Sequence, residues 1–473
     1  MPVDLLNFNG LDASTGGYLL PPMSPGDVAK IAEGQRMDPQ HLAELRWRYQ
    51  QSTEGHYGVA EGVDPNDLAE AGWGVIFAYN ADPAVRDALR ELLAHRKAQA
   101  TQKKEIRYKE YCGVDGYRRG ESKNAFLARH GAGPGPVVPD NVPYYLLIVG
   151  DPQAVPYQFQ YQLDVQYAVG RIHFDTPEEY AQYARSVVAA ETGLAARPRR
   201  AVFFGVENPD DRATAMSATQ LVRPLAASLQ ASQPDWTLDT MIGVQATKSN
   251  LAGLLRAAEP PALLFTASHG LGFRNGDPRQ LQTQGALVCQ DWPGPTWKNP
   301  IPADFYFSGD DLASNARVDG MISVHFACYG LGTPQYDDFS SQAGSQQVAV
   351  APYAFIANLP KRLLAHPKGG TLAAIGHVER AWSYSFLWQG AGQQIAVFES
   401  TLRRLMEGCA VGYATEFFNE RYAELSTDLS DELENVKFGK IPDDLALSGM
   451  WAAKNDARNY AVLGDPAVRL GQP

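Results

Sequence analysis

The sequence predicts an α/β fold in which helices cover both faces of a mostly parallel sheet, in three layers. Short apolar runs that are typical of buried strands alternate with longer segments whose apolar residues recur at helical spacing. From residue 201 onward the order is strand, helix, strand, helix, strand, over residues 201–206, 213–230, 236–242, 249–258 and 262–267. Repeated alternation of this kind indicates parallel strands, because a crossover helix connects each strand to the next.

The composition describes a globular chain and excludes several classes of protein. Its 473 residues are 45% hydrophobic and 20% charged, enough to bury one large core or two moderate ones. A formal net charge of −12 argues against a general nucleic-acid binder, which needs clustered Lys and Arg. The four cysteines lie far apart without a C-x-x-C pair, which favours a reducing compartment over a disulfide framework. With no basic leader and no long apolar run, we expect a cytoplasmic protein without a membrane partner.

Three parts of the chain differ in pattern. Residues 1–70 are rich in Gly and Pro turns and short of long apolar periods, so we expect them to wrap the body as an N-terminal extension. Residues 71–197 favour a smaller α/β subdomain, and residues 198–473 favour the main one. A polar stretch near residues 195–200 marks the boundary between the two subdomains.

Further elements follow from apolar periods and turn signals. In the first subdomain we expect strands at 73–80, 144–150 and 167–172 and helices at 85–96 and 178–191. In the main subdomain we expect helices at 354–364, 393–406 and 411–425 and strands at 371–376 and 460–463. Residues 273–315 lack a clear period and predict a long loop, which in a compact domain is usually functional or mobile. The charged residues 96–109 favour a solvated helix face.

Two of the predicted strands end in reactive side chains. An apolar run over residues 262–267 stops at a small-residue turn that presents His269 and Gly270, and a strand-like run in residues 321–330 ends at Cys328. The carboxyl ends of neighbouring parallel strands lie side by side, at the edge where α/β proteins bind ligands. We therefore expect a cysteine nucleophile, Cys328, with His269 as its base. The amides of Gly270 and Cys328 would form the oxyanion hole.

A strand ending in His-Gly, followed by a strand ending in Ala-Cys, resembles the cysteine peptidases of the caspase, legumain and gingipain clan. The chain is most similar to the gingipain branch, family C25, in which segments like residues 145–156, 168–172 and 462–467 occur. The resemblance spans about residues 144–470 and leaves the N-terminal third uncovered. It implies a caspase-like sheet and a cysteine endopeptidase that acts through an acyl-enzyme intermediate.

The resemblance implies further roles by position. Glu207, just after an upstream strand, corresponds to a third catalytic residue that orients the histidine. Trp382 corresponds to a tryptophan that walls the primary specificity pocket, and Glu379 and His377, close to it in sequence, are further candidates for substrate contact. Residues 213–217 lack the aspartate that gives some gingipains their preference for arginine. No cofactor is required in this family, although some relatives bind a structural calcium ion.

Structural roles compete with these assignments. Glu207 could cap the helix that starts soon after it, since Asp210 and Asp211 also suit a helix N-terminus. His325 points to the opposite face of the sheet by period-two alternation, which favours a place in the core. His377 ends its own strand, and a packing role explains it equally well.

Other functions stay open at this stage. The same fold could serve as a catalytically silent scaffold or binding module, although a decayed site usually loses Cys328, His269 or Gly270. An amine in place of water would make the enzyme a peptide ligase. A metal-dependent hydrolase using His269, His325 and Cys328 would lack a carboxylate at ligand spacing. No G-x-S-x-G elbow supports a serine hydrolase.

A protease inside a cell needs control. We therefore expect a latent enzyme, in which residues 273–315, the N-terminal extension or a partner holds the site closed until a trigger or a processing step. The expected partners are a protein or peptide substrate and a regulatory protein or activating protease. By analogy, a bacterial caspase-like role in stress or defence is consistent with such latency.

Overall fold

The computed structural model describes residues 6, 9–34, 42–43, 45–47, 58–194, 197–337, 348–388 and 391–471, and a ten-stranded sheet organises them. Its strands are, in chain order, β1 Trp73–Phe77, β2 Tyr108–Tyr111, β3 Tyr145–Val149, β4 Ala168–Ile172, β5 Arg200–Gly205, β6 Thr237–Ile242, β7 Leu263–Ala267, β8 Ile322–Phe326, β9 Ala373–His377 and β10 Tyr460–Gly464. Across the sheet they follow the order β2-β1-β3-β4-β10-β9-β8-β7-β5-β6.

Every neighbouring pair in this sheet is parallel except β9 and β10, which are antiparallel. The predicted α/β fold with a mostly parallel sheet is therefore confirmed. Strand β10 also pairs in parallel with β4, through Leu463 and Arg171. It thus joins the half of the sheet formed by residues 71–197 to the half formed by residues 198–473.

Helices flank the sheet. They are α1 Pro25–Gly34, α2 Leu68–Ala71, α3 Pro83–Ala88, α4 Arg90–Ala100, α5 Lys123–Arg129, α6 Tyr157–Asp164, α7 Pro177–Glu191, α8 Arg212–Met216, α9 Arg223–Ser232, α10 Lys248–Leu254, α11 Gln280–Thr283, α12 Asn358–Leu364, α13 Ala396–Met406, α14 Val411–Ala414, α15 Glu416–Lys437 and α16 Asp444–Arg458. Within the described ranges, none of them combines the length and apolarity needed to cross a bilayer.

Shorter elements complete the fold. Four two-stranded pairs are Leu11–Asp12 with Leu271–Gly272, Leu287–Val288 with Tyr306–Phe307, Gly332–Thr333 with Phe355–Ile356, and Leu387–Trp388 with Gly392–Gln393. Short 3-10 helices occur at Glu105–Arg107, Gly113–Asp115, Gly243–Gln245, Ala303–Phe305, Gly309–Asp311 and Ser383–Ser385. The loop predicted for residues 273–315 therefore contains some regular structure.

The alternation of side chains along each strand separates the two packed faces. Phe203 and Phe265 lie in one apolar cluster with the buried sides of α9 and α13. Phe204, which follows Phe203, and Leu264, which precedes Phe265, lie in a different apolar cluster with α10 and α12. Successive strand residues point to opposite faces, so both faces of the sheet are apolar and both are covered. This is the three-layer arrangement that the sequence predicts.

One predicted helix is interrupted for an identifiable reason. Residues 213–230 form α8, a π-helical stretch at Ser217–Val222 and then α9. Pro224, in the first turn of α9, has no N–H to donate to the carbonyl of Gln220 four residues earlier. That carbonyl instead accepts a hydrogen bond of 2.8 Å from the side chain of Gln393. The π-helical stretch and this long-range bond thus accommodate the proline.

The prediction of a solvated helix face over residues 96–109 is partly wrong. Helix α4 ends at Ala100, and the chain then forms β2, an edge strand that pairs only with β1 in the described sheet. Glu110 on this strand forms an ion pair of 2.7 Å with Arg86. Charged side chains on an edge strand discourage pairing with another chain, which explains why a strand here has a polar sequence.

Helix α1 attaches the N-terminal region to the body. Its buried face, including Val28 and Ile31, packs in one apolar cluster with Leu447 and Trp451 of α16. The composition of the two segments, turn-rich around α1 and polar around α16, does not predict either helix. Residues 25–34 lie against the main subdomain through this contact, whereas Val59, later in the same region, forms a bridge with Val137 of the first subdomain.

A buried ion cluster fixes the first half of the sheet to the C-terminal strand. Arg96 on α4 is 1% exposed and donates hydrogen bonds of 2.6 Å to Asp465, after β10, and of 2.6 and 2.8 Å to Glu191, at the end of α7. Asp465 also accepts the indole N–H of Trp73 on β1 at 2.9 Å. Burial would raise the pKa of the Glu191 carboxyl, but Arg96 and nearby hydrogen-bond donors lower it to about 2.

We expect Glu191→Ala to lower the free energy of unfolding by about 2–3 kcal/mol at neutral pH, since it removes charge-assisted hydrogen bonds from a buried guanidinium. Because the folded pKa of Glu191 is lowered from 4.5 to about 2, wild type gains this stability above pH 4.5 and loses it as the pH falls through 2. Urea denaturation at several pH values measures both effects.

The exposed pair of Lys30 with Asp27, at 3.9 Å, supplies a matched control, and Lys30→Ala should cost less than about 0.5 kcal/mol. A cost for Glu191→Ala that stays constant between neutral pH and pH 3 would contradict the assignment of this charge.

Candidate active site

The edge of the sheet where β7 and β8 end carries the candidate site. The two strands pair in parallel along their whole length, and His269 and Cys328 each follow two residues after the end of their strand. The pairing therefore brings both side chains to the same edge. The backbones touch as well, because a Cβ on Gly270 would lie 1.7 Å from the carbonyl oxygen of Cys328. Only glycine fits at position 270.

His269 is completely buried and is bonded at both ring nitrogens. Its Nε2 lies 2.8 Å from Oδ2 of Asp211, and its Nδ1 accepts a hydrogen bond of 2.8 Å from the backbone N–H of Gly10. Since Nδ1 is an acceptor, the proton of the neutral ring is on Nε2 and is donated to Asp211. The rings of Trp292 and Tyr18 flank the imidazole, with centroid distances of 5.7 and 5.9 Å. These contacts fix both the orientation and the tautomer of the base.

Asp211 is the acid that orients His269. It is the N-cap of α8, where its Oδ2 accepts the backbone N–H of Thr214 at 3.1 Å and the hydroxyl of Thr214 at 2.5 Å. Its Oδ1 accepts the phenolic hydroxyl of Tyr18 at 2.7 Å. Burial would raise the pKa of this carboxyl, but His269 and the hydrogen bonds from His269, Thr214 and Tyr18 hold it well below its ordinary value. Asp211 is therefore ionised and is placed to stabilise a positive charge if His269 accepts a second proton.

Two non-glycine residues in the described part of the chain have a left-handed backbone, Asp210 at φ 55° and Tyr329 at φ 57°. Each is the sequence neighbour of a site residue, Asp211 or Cys328. Such conformations cost about 1–3 kcal/mol and persist where surrounding contacts enforce them, often at functional sites. The Tyr329 amide, for example, donates a hydrogen bond of 2.7 Å to the carbonyl of Glu379.

Cys328 is completely buried, and burial raises the pKa of its thiol to about 12. The thiol is therefore neutral and donates a hydrogen bond of 2.8 Å to the carbonyl oxygen of Asn9, while the Ala381 amide donates to its sulfur at 3.2 Å. Within the described structure no hydrogen bond joins Cys328 to His269. The peptide group between Asn9 and Gly10 contacts both of them, at its carbonyl and at its N–H.

Residues 9–23, here called the strap, cover this edge of the sheet. Two residues after His269, Leu271–Gly272 pairs in parallel with Leu11–Asp12 of the strap. The strap then turns back on itself, so that the Leu19 amide donates to the Gly10 carbonyl at 3.0 Å. Leu11 lies in a buried apolar cluster whose other members include Trp292 and Ile301 from the loop 273–315. The strap and this loop thus close the site together.

Glu207 does not orient His269 in this structure, contrary to the sequence-based expectation. Its carboxylate forms an ion pair of 2.6 Å with Arg223 at a partly exposed position, and its backbone bonds to the side chain of Gln290. The chain continues past the end of β5, and the acid that reaches the imidazole is at the start of α8, four residues later. The residue that meets His269 is thus a helix cap and not a strand end.

The three predicted substrate contacts lie inside the protein in this state. Trp382 is 2% exposed and packs edge-on against Trp451, with ring centroids 6.1 Å apart. His377 is completely buried, and its Nε2 lies 3.0 Å from Asp456, which also accepts the backbone N–H of Trp382 at 2.9 Å. Glu379 is buried as well. Their contact with substrate stays a prediction, and here they support the segment that presents Ala381 to the thiol.

His325 faces away from the site and belongs to the core, as the alternation predicts. Its ring nitrogens bond to the hydroxyls of Thr266 at 2.9 Å and Ser323 at 3.0 Å, and burial lowers its pKa to about 4. A metal site made of His269, His325 and Cys328 is therefore not formed. Among the residues that the structure describes, no three His, Cys, Asp or Glu side chains are grouped to hold a metal ion.

The predicted oxyanion donors, the amides of Gly270 and Cys328, lie where the two strand ends touch. In the part of the chain that the structure describes, neither amide donates to an acceptor. The Asn9 carbonyl oxygen contacts the thiol instead. Both amides are thus available to an oxyanion, and their role stays a prediction.

Sequence reasoning missed two parts of the site. Asp211 had a visible signal, because an acidic residue three positions before Thr214 is a typical N-cap pair. That pattern identifies a helix start but does not say that the same carboxylate also reaches His269. The Asn9 and Gly10 contacts have no sequence signal, since they are made by backbone atoms more than two hundred residues away from the strand ends.

Comparisons with known proteins give distant structural similarities. No family model matches the chain, and no curated protein matches it. A solved structure described as that of a protease is 12% identical, with a TM-score of 0.49, over 89% of this chain and 81% of that one. The complex of Porphyromonas gingivalis RgpB pro- and mature domains is also 12% identical, with a TM-score of 0.44, over 84% of this chain and 80% of that one. At this distance the similarities assign no role to any residue of this chain, and the chemistry of the site is inferred from its own side chains.

We expect Gly10→Ala to loosen the strap and expose Cys328 to alkylation. Gly10 has φ 107°, and an added Cβ would lie 2.7 Å from Leu19 and 3.1 Å from the sulfur of Cys328. Backbone strain of about 1–3 kcal/mol corresponds to a rise of roughly tenfold or more in the open population. Iodoacetamide labelling, followed by mass spectrometry of the Cys328 peptide, measures the rate.

Gly131→Ala is the matched control. Gly131 also has a left-handed backbone, at φ 76°, but a Cβ there would meet nothing within 4 Å. Its labelling rate at Cys328 should equal that of wild type. Equal rates for Gly10→Ala and wild type would show that the strap does not limit access to the thiol.

Proposed function

We propose that this chain is a cysteine endopeptidase with a Cys328–His269 dyad, oriented by Asp211. The observation that carries the proposal is a single peptide group held between the dyad residues. The sulfur lies 2.8 Å from the carbonyl oxygen of Asn9, and Nδ1 of His269 lies 2.8 Å from the amide nitrogen of Gly10. A thiol next to a carbonyl and a base next to the leaving nitrogen are the two groups that amide hydrolysis requires.

The proposed reaction begins with transfer of the thiol proton to His269, whose charged form the ionised Asp211 stabilises. The thiolate adds to the carbonyl carbon of a substrate peptide, and the oxyanion is bound by the amides of Gly270 and Cys328. His269 then returns the proton to the leaving amine as the carbon–nitrogen bond breaks. Water hydrolyses the thioester, which restores the thiol and releases a carboxylate.

The closed site supports the expected latency. The strap occupies both dyad residues and leaves the thiol neutral and completely buried. The loop 273–315 packs against the strap, so the N-terminal extension and the loop act together. We propose that a trigger, a regulatory partner or a processing step displaces the strap before external substrates enter. A cytoplasmic location and independence of any cofactor belong to this proposal, with calcium binding left to measurement.

A peptide-library digest tests the function directly. With a reductant present to keep the thiol free, wild type should slowly cleave a subset of peptides that share one residue before the cut, through transient opening of the strap. Gly10→Ala, whose strap is loosened, should cleave the same peptides faster. Cys328→Ala should lose this activity entirely, because no other group in the proposal forms the acyl-enzyme. Equal cleavage by wild type and Cys328→Ala would remove Cys328 from the mechanism.

The identity of the orienting acid is tested by a pair of matched variants. We expect Asp211→Asn to reduce kcat/KM by about a hundredfold or more, since the amide neither favours the correct tautomer nor stabilises imidazolium. Glu207→Gln should stay within about threefold of wild type, because Glu207 bonds to Arg223 and does not contact His269. Assays with the most rapidly cut library peptide measure both values, and circular dichroism checks folding. A larger loss for Glu207→Gln than for Asp211→Asn would reverse the assignment.

A further inference from the structure

We infer that the peptide bond between Asn9 and Gly10 is a substrate of the chain's own site, which cleaves it within the same molecule and so releases residues 1–9. This inference rests on the proposed peptidase function and adds to it the bond, the side chain before the cut and the intramolecular course of the reaction.

The strap is bound in the manner of a substrate on both sides of this bond. Before it, the Asn9 carbonyl faces the nucleophile, and after it the Gly10 amide faces the base. The next residue continues as a paired strand, because the Leu11 amide donates to the Gly270 carbonyl at 3.2 Å and Leu11–Asp12 pairs with Leu271–Gly272. Extended backbone pairing of this kind is a common way for a protein to hold a peptide.

Gly10 is required by this arrangement. At φ 107°, its backbone is in the region that favours glycine, and any larger residue would collide with Leu19 and approach the sulfur of Cys328. The strap thus places its smallest possible residue directly after the bond, where the chain passes closest to the thiol. Asn9, directly before the bond, is 6% exposed, so it is enclosed in the protein.

Two features keep the bond intact in the described state. The thiol is neutral, and its hydrogen bond goes to the oxygen of the Asn9 carbonyl, whose carbon is the atom to be attacked. The amides of Gly270 and Cys328 do not yet bind that oxygen. The reaction therefore needs the Asn9 carbonyl to turn toward these amides and the thiol proton to pass to His269. Both changes are local, and neither requires movement of the sheet.

The proposed step balances as an ordinary hydrolysis. Sulfur forms a bond to the Asn9 carbonyl carbon, the bond from that carbon to the Gly10 nitrogen breaks, and the thiol proton ends on that nitrogen through His269. Water then supplies a hydroxyl to the carbon and a proton to the sulfur. The products are a peptide of residues 1–9 ending in a carboxylate and a chain that begins at Gly10.

Cleavage would open one side of the site and leave the other in place. In the described part of residues 1–9, Leu6 is held by backbone hydrogen bonds of 2.9 and 3.2 Å to Met23. On the C-terminal side of the cleaved bond, the strap stays attached through its pairing with Leu271–Gly272 and its packing in one cluster with Trp292. Release of residues 1–9 removes the hydrogen-bond partner of Cys328 and exposes the position where the acyl part of a new substrate binds. The enclosed Asn9 then indicates asparagine before the cut in other substrates.

Intact-mass spectrometry of the full chain tests the inference. Wild type, Cys328→Ala and Asn9→Leu are purified, incubated with reductant at pH values from about 5 to about 8, and sampled over time. Wild type should lose residues 1–9 and gain an N-terminus that reads Gly-Leu-Asp, at a first-order rate that a tenfold dilution leaves unchanged. Cys328→Ala should stay intact, and Asn9→Leu should slow the loss at least tenfold.

Asn7→Leu is the matched control, since it removes a second asparagine two positions earlier in the sequence. Its rate should stay within about threefold of wild type. Equal loss of residues 1–9 from wild type and Cys328→Ala would overturn the inference, and a rate that falls on dilution would overturn its intramolecular course.

The library digest separates this inference from the proposed function. If wild type cuts library peptides in a Cys328-dependent way while the bond between Asn9 and Gly10 stays intact at every pH, the self-cleavage is wrong and the peptidase stands. If the bond stays intact in wild type and neither wild type nor Gly10→Ala, whose strap is loosened, cuts library peptides, both are wrong.

Discussion

The parallel pairing of β7 with β8 is the constraint on which the site depends. It places two segments that are about sixty residues apart at the same edge of the sheet, with the same offset from their strand ends. The contact is so close that position 270 accommodates only glycine. A slip of one residue in this register would turn the side chains of the shifted strand to the opposite face and would separate His325 from its partner Thr266. The apolar residues of both strands, buried on two faces, prevent such a slip.

The strap adds a second constraint, because it contacts all three polar side chains of the candidate site. Gly10 donates to His269, Asn9 accepts from Cys328, and Tyr18 donates to Asp211. One short segment therefore forms hydrogen bonds with the imidazole, the thiol and the carboxylate. This explains how these three buried side chains lie close together with partners for their polar atoms.

The sequence predicted the features that depend on local pattern. The strands with continuous apolar runs, the mostly parallel sheet and the meeting of the two strand ends all follow from periodicity and from the rule for parallel edges. It failed where tertiary contacts override local pattern. Strand β2 is polar because it lies at an edge, and the helix over residues 213–230 is divided because Pro224 removes one donor. Glu207 and Asp211 both carry a carboxyl group and are four residues apart. No local sequence pattern predicts which of the two the turn after β5 brings to the imidazole.

In the proposed mechanism, the same contacts keep the closed enzyme inactive through the protonation of its site as well as through its shape. Desolvation keeps the proton on the sulfur of Cys328, and the only ring nitrogen of His269 that could take it already accepts the Gly10 amide. Donor and acceptor of the first proton transfer are thus both bonded to one peptide group of the strap. Displacement of that group would admit water, lower the pKa of the thiol toward its ordinary value of 9 and free Nδ1 in a single event. Asp211 would keep the imidazole in position throughout, because its bonds to His269 and Thr214 do not involve the strap. Activation, as proposed, would therefore require a change in a few residues near the N-terminus and would leave the sheet that builds the site unaltered.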